Sequence, residues 1–589
     1  MHHTGFTNSF QNKEDNNGEL IMERMCSITI LEKRISNYFK ERLTVRKKNE
    51  IIRNLKCNWY FPISALAFFG LSISKSLDYF IGLIISICAS IVVSSQIPSI
   101  IDLTRQKKPW LCMISVLSAF GICWNGQITF YKRWVNFSIS KLIAEILPAN
   151  INFGLIISIF AAIISIIFVY FYTLLFWEKM SNIFFELNLS QDITVFECGI
   201  YCFLILLSFI FVISAFLQTE AFYGTKYNFD IIYTSDSSSI VINNAYMTLM
   251  HPENDFRQPL FAVFSAPFTG IPFLIGSLFN VSLSVQAILL NLVQVCMMFL
   301  ANFMLAKLLM LKSYSRVCFM LLISNTYTYL LFSLMMEQYI IAYFWLVICL
   351  IQINEKNNLD RLTLWGAGGT LLTSMILLPF MSNKNPFKYF RTWFREMISY
   401  GMDFIFIILA FGRFEVFNLS SRKHLMNYTG QHITTMDKLK QYTAFIKNYY
   451  IAPDAGVNHI FTNHISWQMK PIKDVNMIGV IIILLVISSA FMNRKKKSSI
   501  LAISWIVLSI IVFLLLGWGT SENGLILYEL YFGWAFLVLL VQLVELIEIK
   551  LNINFLVPLF SIVFAIIFAM INVPAIMEMI NFAITYYPT

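Results

Sequence analysis

The sequence predicts an all-α polytopic membrane protein with about 15 transmembrane helices, within a range of 13 to 15. Three observations carry this. Of 589 residues, 58% are hydrophobic and only 13% are charged, about half the charged share of soluble domains. Mean hydropathy is +0.68. Apolar runs near the roughly 20 residues that span a bilayer recur along the chain.

Those runs lie near 59–75, 79–100, 109–129, 151–176, 196–217, 259–280, 283–307, 317–335, 338–353, 362–382, 397–412, 476–491, 499–517, 524–546 and 553–574. The region 317–353 is the most interrupted, because Ser324, Asn325, Thr326 and Thr328 break one half and Glu337 falls at the joint. Lys and Arg mark the cytoplasmic side of a membrane protein. That rule places the basic N-terminus inside, with the loop Arg105, Lys107, Lys108, the stretch Lys384 to Arg395, and Arg494 to Lys497. Alternation then puts 218–258, 413–475 and 518–523 outside. Lys307, Lys312 and Arg316 land outside on the same count, which points to a re-entrant or miscounted segment between 259 and 353.

Residues 1–58 are polar and lack the short apolar core of a signal peptide, so they read as a cytosolic basic tail on a multi-pass cell-membrane protein. Of the ten cysteines, Cys88, Cys123, Cys198, Cys202, Cys296 and Cys349 sit inside apolar runs and read as small packing residues, without disulfide or zinc spacing. The net charge of +10 follows from the basic loops facing anionic headgroups, so the expected partners include membrane lipids and no nucleic acid. No repeat is visible. The chain divides into the tail 1–58, a four-helix group 59–177, a linker Glu178 to Thr194, a membrane core 195–412 holding the loop 218–258, a second outer loop 413–475, and C-terminal helices 476–589.

Polar residues concentrate in the stretch between Ala221 and Phe261, which holds Lys226, Asp230, Asp236 and Asp255 and returns to an apolar run as Arg257-Gln258-Pro259-Leu260-Phe261. A short interfacial helix is expected near Ser239 to Met250, with Ile240, Val241, Tyr246, Met247 and Met250 lying on lipid. Asp236 stands just before it, where a carboxylate either caps helix amides or meets substrate. Asp230 suits a loop hydrogen bond or a polar ligand. Arg257 suits either snorkelling at the membrane edge or a forked contact to phosphate. Lys226, Arg413 and His424 are further polar candidates on the same face, and Glu522 in the turn Trp518 to Asn523 either orients a ligand or is solvated. The second outer loop carries His424, His432, His459 and His464 at spacings unlike a compact metal site.

In this order of features the chain resembles the GT-C superfamily of polyprenyl-phosphate-sugar-dependent glycosyltransferases, over roughly residues 196–410. There a first core helix ends in a large outer loop with an early carboxylate, and the loop returns through a cation-Pro-Pro-Leu motif. The resemblance implies an inverting transferase with Asp236 as catalytic base and Arg257 on the donor phosphate. Its partners would be a polyprenyl-phosphate-linked sugar and a glycan or lipid acceptor of the cell envelope. Gln258 replaces the first proline, and Thr234-Ser235-Asp236-Ser237 offers one carboxylate where an acidic pair is usual. No cofactor is therefore expected, and a divalent metal is not favoured. Two other classes stay open: an O-antigen-type polymerase or ligase using Arg413, Arg422 and His424, and a flippase or transporter, which would line a mid-membrane path with charge.

Overall fold

The computed structural model describes residues 60–73, 79–94, 109–124, 152–187, 193–224, 231–233, 235, 237–242, 245–247, 257–355, 360–382, 388–417, 429–430, 432–459, 465–520, 524–553 and 555–589. Two compact units are distinguished, Met1–Pro62 with Ile91–Lys107, and Ile63–Ser90 with Lys108–Thr589. The first is described only at 60–62 and 91–94. The second holds the candidate site and all that supports it.

The described residues are predominantly helical, with sheet confined to one two-stranded antiparallel hairpin. In chain order the helices are α1 Tyr60–Ile73, α2 Tyr79–Ser94, α3 Pro109–Trp124, α4 Asn152–Glu186, α5 Val195–Phe216, α6 Ser237–Ile242, α7 Phe261–Leu278 and α8 Leu283–Leu308. They continue as α9 Ser313–Ser324, α10 Tyr327–Leu334, α11 Gln338–Glu355, α12 Arg361–Thr370, α13 Phe390–Ala410 and α14 Thr435–Asn448. Strands β1 Ala455–His459 and β2 Ile465–Met469 follow, then α15 Met477–Met492, α16 Lys497–Ser509, α17 Glu529–Leu551 and α18 Leu556–Tyr586. Seven of the described helices are long and apolar enough to cross a membrane, or eight if α9 and α10 count as one broken span.

Apolarity alone does not decide which helix faces lipid. Helix α5 is apolar all round and leaves Phe203, Leu206 and Ile210 exposed at 57–63%, as a lipid-facing helix would. Helix α11 is buried at every position from Gln338 to Ile353 and forms the centre of the bundle.

Local chemistry fixes the frame. Thr194 caps α5 by accepting from Glu197 N (3.2 Å), and the Glu197 carboxylate accepts from Thr194 N in return (2.9 Å), a reciprocal capping box. The same buried carboxylate receives Arg316 Nε at 2.9 Å and Nη2 at 3.0 Å, and the Tyr201 hydroxyl at 3.2 Å. This anchors the start of α9 against the start of α5. On α3 and α7, Gly121 and Gly270 let two backbones meet: a Cβ on Gly121 would lie 1.9 Å from the Gly270 carbonyl oxygen. Small residues at such crossings are how apolar helices associate without a hydrophobic driving force.

Helices α9, α10 and α11 form a hairpin that enters and leaves at one end of the bundle. Helix α9 is bent from α10 by 63°, where Thr326 leaves the helix and its hydroxyl accepts from Tyr329 N at 3.3 Å. Helix α11 then runs parallel to α8: Asn291 Nδ2 donates to Ser333 O (2.6 Å), Gln294 Nε2 to Glu337 O (2.7 Å), and Tyr343 OH to Asn302 Oδ1 (2.8 Å). Phe303, next to Asn302, lies under the Arg316 guanidinium at 5.8 Å. Arg316 and Tyr343 are thus at one level of α8, and the hairpin tip, 325–337, lies further toward the start of α8.

Several expectations change. Arg316 sits at the Glu197 end of α5, opposite the end that leads into the loop 218–258, because it pairs with Glu197 in the first turn of that helix. Helix α4 continues through the expected linker to Glu186, since nothing from Glu178 to Glu186 interrupts a helix. The run 362–382 divides into α12 and a 3-10 helix, Leu372–Met381, around the extended Leu371. The helix of the first outer loop spans only Ser237–Ile242. Ile240, Tyr246 and Met247 are buried at 0–1% exposure, packed on protein where lipid contact was expected. That burial follows from the loop being clamped over the hairpin tip.

Candidate functional site

Four distant parts of the chain meet at the loop end of the bundle. Ile232 bridges to Trp467 of β2, Thr429 to Trp518, and Thr219 to Pro588. Asn572, midway along α18, donates from Nδ2 to Asn325 O (2.9 Å) and Tyr450 O (2.7 Å) and accepts from Ala452 N (2.9 Å). One amide thereby joins the C-terminal helix, the bend of the hairpin and the second outer loop.

The return of the first loop is tied on both sides. Leu372 N donates to Arg257 O at 2.8 Å, and Leu260 N to Gly369 O at 2.9 Å. Arg413, buried to 3% exposure, donates from Nε to Pro259 O at 3.0 Å. The Arg257 guanidinium lies 5.8 Å over the Trp518 ring, and Trp518 Nε1 donates to Tyr528 OH at 2.7 Å. Tyr528 packs edge-on against Tyr339 at 5.1 Å, and Arg257 and Glu337 both lie within electrostatic range of Tyr339. Arg257 and Arg413 are thus brought to one place, and Arg257 is stacked within the loop assembly.

Glu337, 1% exposed, is buried at the joint between α10 and α11. Tyr246 lies beside it: burial pushes its hydroxyl well above the ordinary tyrosine range, Glu337 adds to that, and the Gln294 side chain opposes it.

A second polar group adjoins the first. Glu529, the first residue of α17, is fully buried and its Oε2 accepts from Thr328 Oγ1 at 3.0 Å. Its neighbour in α10, Tyr327, is hydrogen-bonded hydroxyl to hydroxyl with Tyr233 of the first outer loop. Tyr233 holds a left-handed backbone, φ 52°, which costs a non-glycine residue roughly 1–3 kcal/mol. Its N–H donates to Trp467 O at 2.7 Å, and its carbonyl accepts from the Gln468 side chain. Burial pulls the Lys447 ammonium below the ordinary lysine range, while Glu529 and Asp454 pull the other way; its Nζ donates to Ala452 O.

Asp236, Lys226, Asp230, His424 and Glu522 lie outside the described residues. Of the described residues nearby, Tyr233 is pinned as above, and Ser235 and Ser237 are buried with their hydroxyls 3.1 Å apart. Among the described residues no three His, Cys, Asp or Glu side chains gather as metal ligands would.

Sequence reading missed Glu529, Tyr233, Tyr327, Thr328 and Lys447. One signal was available for Glu529, a carboxylate inside the apolar run Leu525–Leu539, the same signal that singles out Glu337. Its partner Thr328 is 201 residues away, beyond any local pattern. No protein-family model matches the chain, and no curated protein or solved structure matches it either.

Proposed function

We propose that this chain is a multi-pass membrane glycosyltransferase that moves a sugar from a polyprenyl-phosphate donor to a hydroxyl of a cell-envelope glycan or lipid acceptor. The observation that carries the reading is the convergence of Arg257 and Arg413 on the loop return, beside the loop that bears Asp236. Two guanidiniums suit a lipid-linked phosphate, since each planar fork donates paired hydrogen bonds to phosphate oxygens. In the reaction Asp236 takes the acceptor proton, the acceptor oxygen attacks the anomeric carbon, and the bond to the phosphate oxygen breaks. A single displacement of this kind inverts the anomeric centre. The chain's task is to hold the phosphate, exclude water and activate the hydroxyl. Aromatic walls from Trp518, Tyr528 and Tyr339 suit the exclusion of water.

The test is transfer from a purified polyprenyl-phosphate sugar by the protein in lipid nanodiscs. Asp236→Asn should lower turnover by at least ~100-fold, the lower range for a positioned base, with unchanged expression and melting. Normal turnover in that variant removes the reading.

Transport of a lipid-linked glycan is favoured by one specific observation, the hairpin 313–355, whose bent tip holds buried Glu337 and contacts buried Glu529. Broken helices with carboxylates inside the bundle are the usual material of transporter sites. Movement of labelled lipid-linked sugar across proteoliposomes, with no new glycosidic bond, would select that reading.

A further inference from the structure

The Glu529 carboxyl has one oxygen fixed and one without a hydrogen-bond partner among the described residues: Oε2 is held by Thr328, and Oε1 is buried and unmatched. A buried carboxyl oxygen left without a partner is costlier than an unpaired hydroxyl or amide, and a bound group is one explanation for it. The unpaired oxygen calls for a group carrying O–H or N–H, and a hydroxyl can also accept the carboxyl's own proton.

The surroundings choose between those. The Lys447 ammonium is already within electrostatic range of Glu529, so a second cation would meet a like charge in a poorly solvated place. The other near groups are neutral hydroxyls and rings, namely Thr328, the Tyr233–Tyr327 pair and Tyr449. Tyr233 belongs to the same short loop as Asp236, three residues before it. Its left-handed backbone is held by bonds from two separate residues of β2, and such imposed conformations concentrate where ligands are clamped.

We infer that Glu529, set by Thr328 and bordered by Tyr233 and Tyr327, is a binding residue for a hydroxyl of a polyhydroxylated ligand. This rests on the donor reading above, and assigns the sugar part of the donor to Glu529 while Arg257 and Arg413 take its phosphate. A hydrogen bond from a sugar hydroxyl to a buried carboxylate corresponds to about tenfold or more in affinity.

The test compares binding of bare polyprenyl phosphate with a panel of polyprenyl-phosphate hexoses (glucose, galactose, mannose and N-acetylglucosamine), using the full chain in nanodiscs. Wild-type protein should bind its preferred sugar-bearing lipid about tenfold or more tighter than the bare lipid. Glu529→Gln should lose most of that ratio and keep its affinity for the bare lipid within about twofold, which also shows that the variant is folded. Thr328→Val should lose part of the ratio, and Arg257→Gln should weaken both lipids together. An undiminished ratio in Glu529→Gln overturns this inference and leaves the donor reading standing. Binding of neither lipid by wild-type protein overturns the donor reading and this inference with it.

Discussion

Removing Arg316 should destabilise the bundle more than any single surface change, because its partner Glu197 is fully buried. Arg316 places Nε 2.9 Å from one carboxylate oxygen and Nη2 3.0 Å from the other, at 4% and 0% exposure for the two residues. In Arg316→Leu the carboxylate keeps Thr194 N and Tyr201 OH and loses its counter-charge. Breaking a buried pair from one side costs about 3–5 kcal/mol. The paired change Glu197→Gln with Arg316→Leu leaves no buried charge, and the Gln amide still reaches Thr194 N as a cap. The double variant should therefore recover about 2 kcal/mol relative to Arg316→Leu, a coupling of the size expected for contacting residues. Unfolding free energies in mixed micelles, taken through the full cycle of two single variants and the double, supply the number. Additive costs, or a loss under about 1 kcal/mol in Arg316→Leu, would refute the claim that this pair anchors the hairpin.

Gly121→Ala should cost about 1–3 kcal/mol, since its Cβ would fall 1.9 Å from a backbone oxygen that can move only with α7; the melting temperature in nanodiscs checks it against Gly199→Ala, which meets open space. Asn572→Leu removes three hydrogen bonds, and at about 1 kcal/mol each should cost roughly 3 kcal/mol; hydrogen exchange should then rise at 325–328 and 449–452 before it rises in α5. Lys447 has a folded pKa below its unfolded value, because burial opposes its charge. Between the folded value and about 10.4 the unfolded chain binds more protons, so stability climbs with pH across that window. Lys447→Met should flatten that climb in pH-dependent unfolding, and an unchanged slope would place its origin elsewhere.

The legible part of the fold follows from local chemistry. The interruption at Ser324 to Thr328 is visible as hydroxyls and an amide within an apolar run, and Asn325 and Thr326 leave the helix at the 63° bend. The return Arg257 to Phe261 is visible because a cation and a proline precede an apolar segment, and Phe261 begins α7. The position of Arg316 is not legible in this way, because its partner Glu197 lies 119 residues away. Likewise Tyr246 and Met247 look suited to lipid by composition, and whether an apolar side chain meets lipid or protein is not a local property.

By itself, the sequence determined that this is a helical chain of membrane character, because apolarity over 20 residues and the placement of polar breaks are properties of each segment alone. The tertiary structure decided which segments keep apolar side chains exposed and which are central, as with α5 against α11. It also decided which carboxylates are enclosed and whose hydroxyls reach them. The physical reason is that the cost of burying Glu529 or Glu197 depends on Thr328 and Arg316, over a hundred residues away, and only packing brings such partners within hydrogen-bond range.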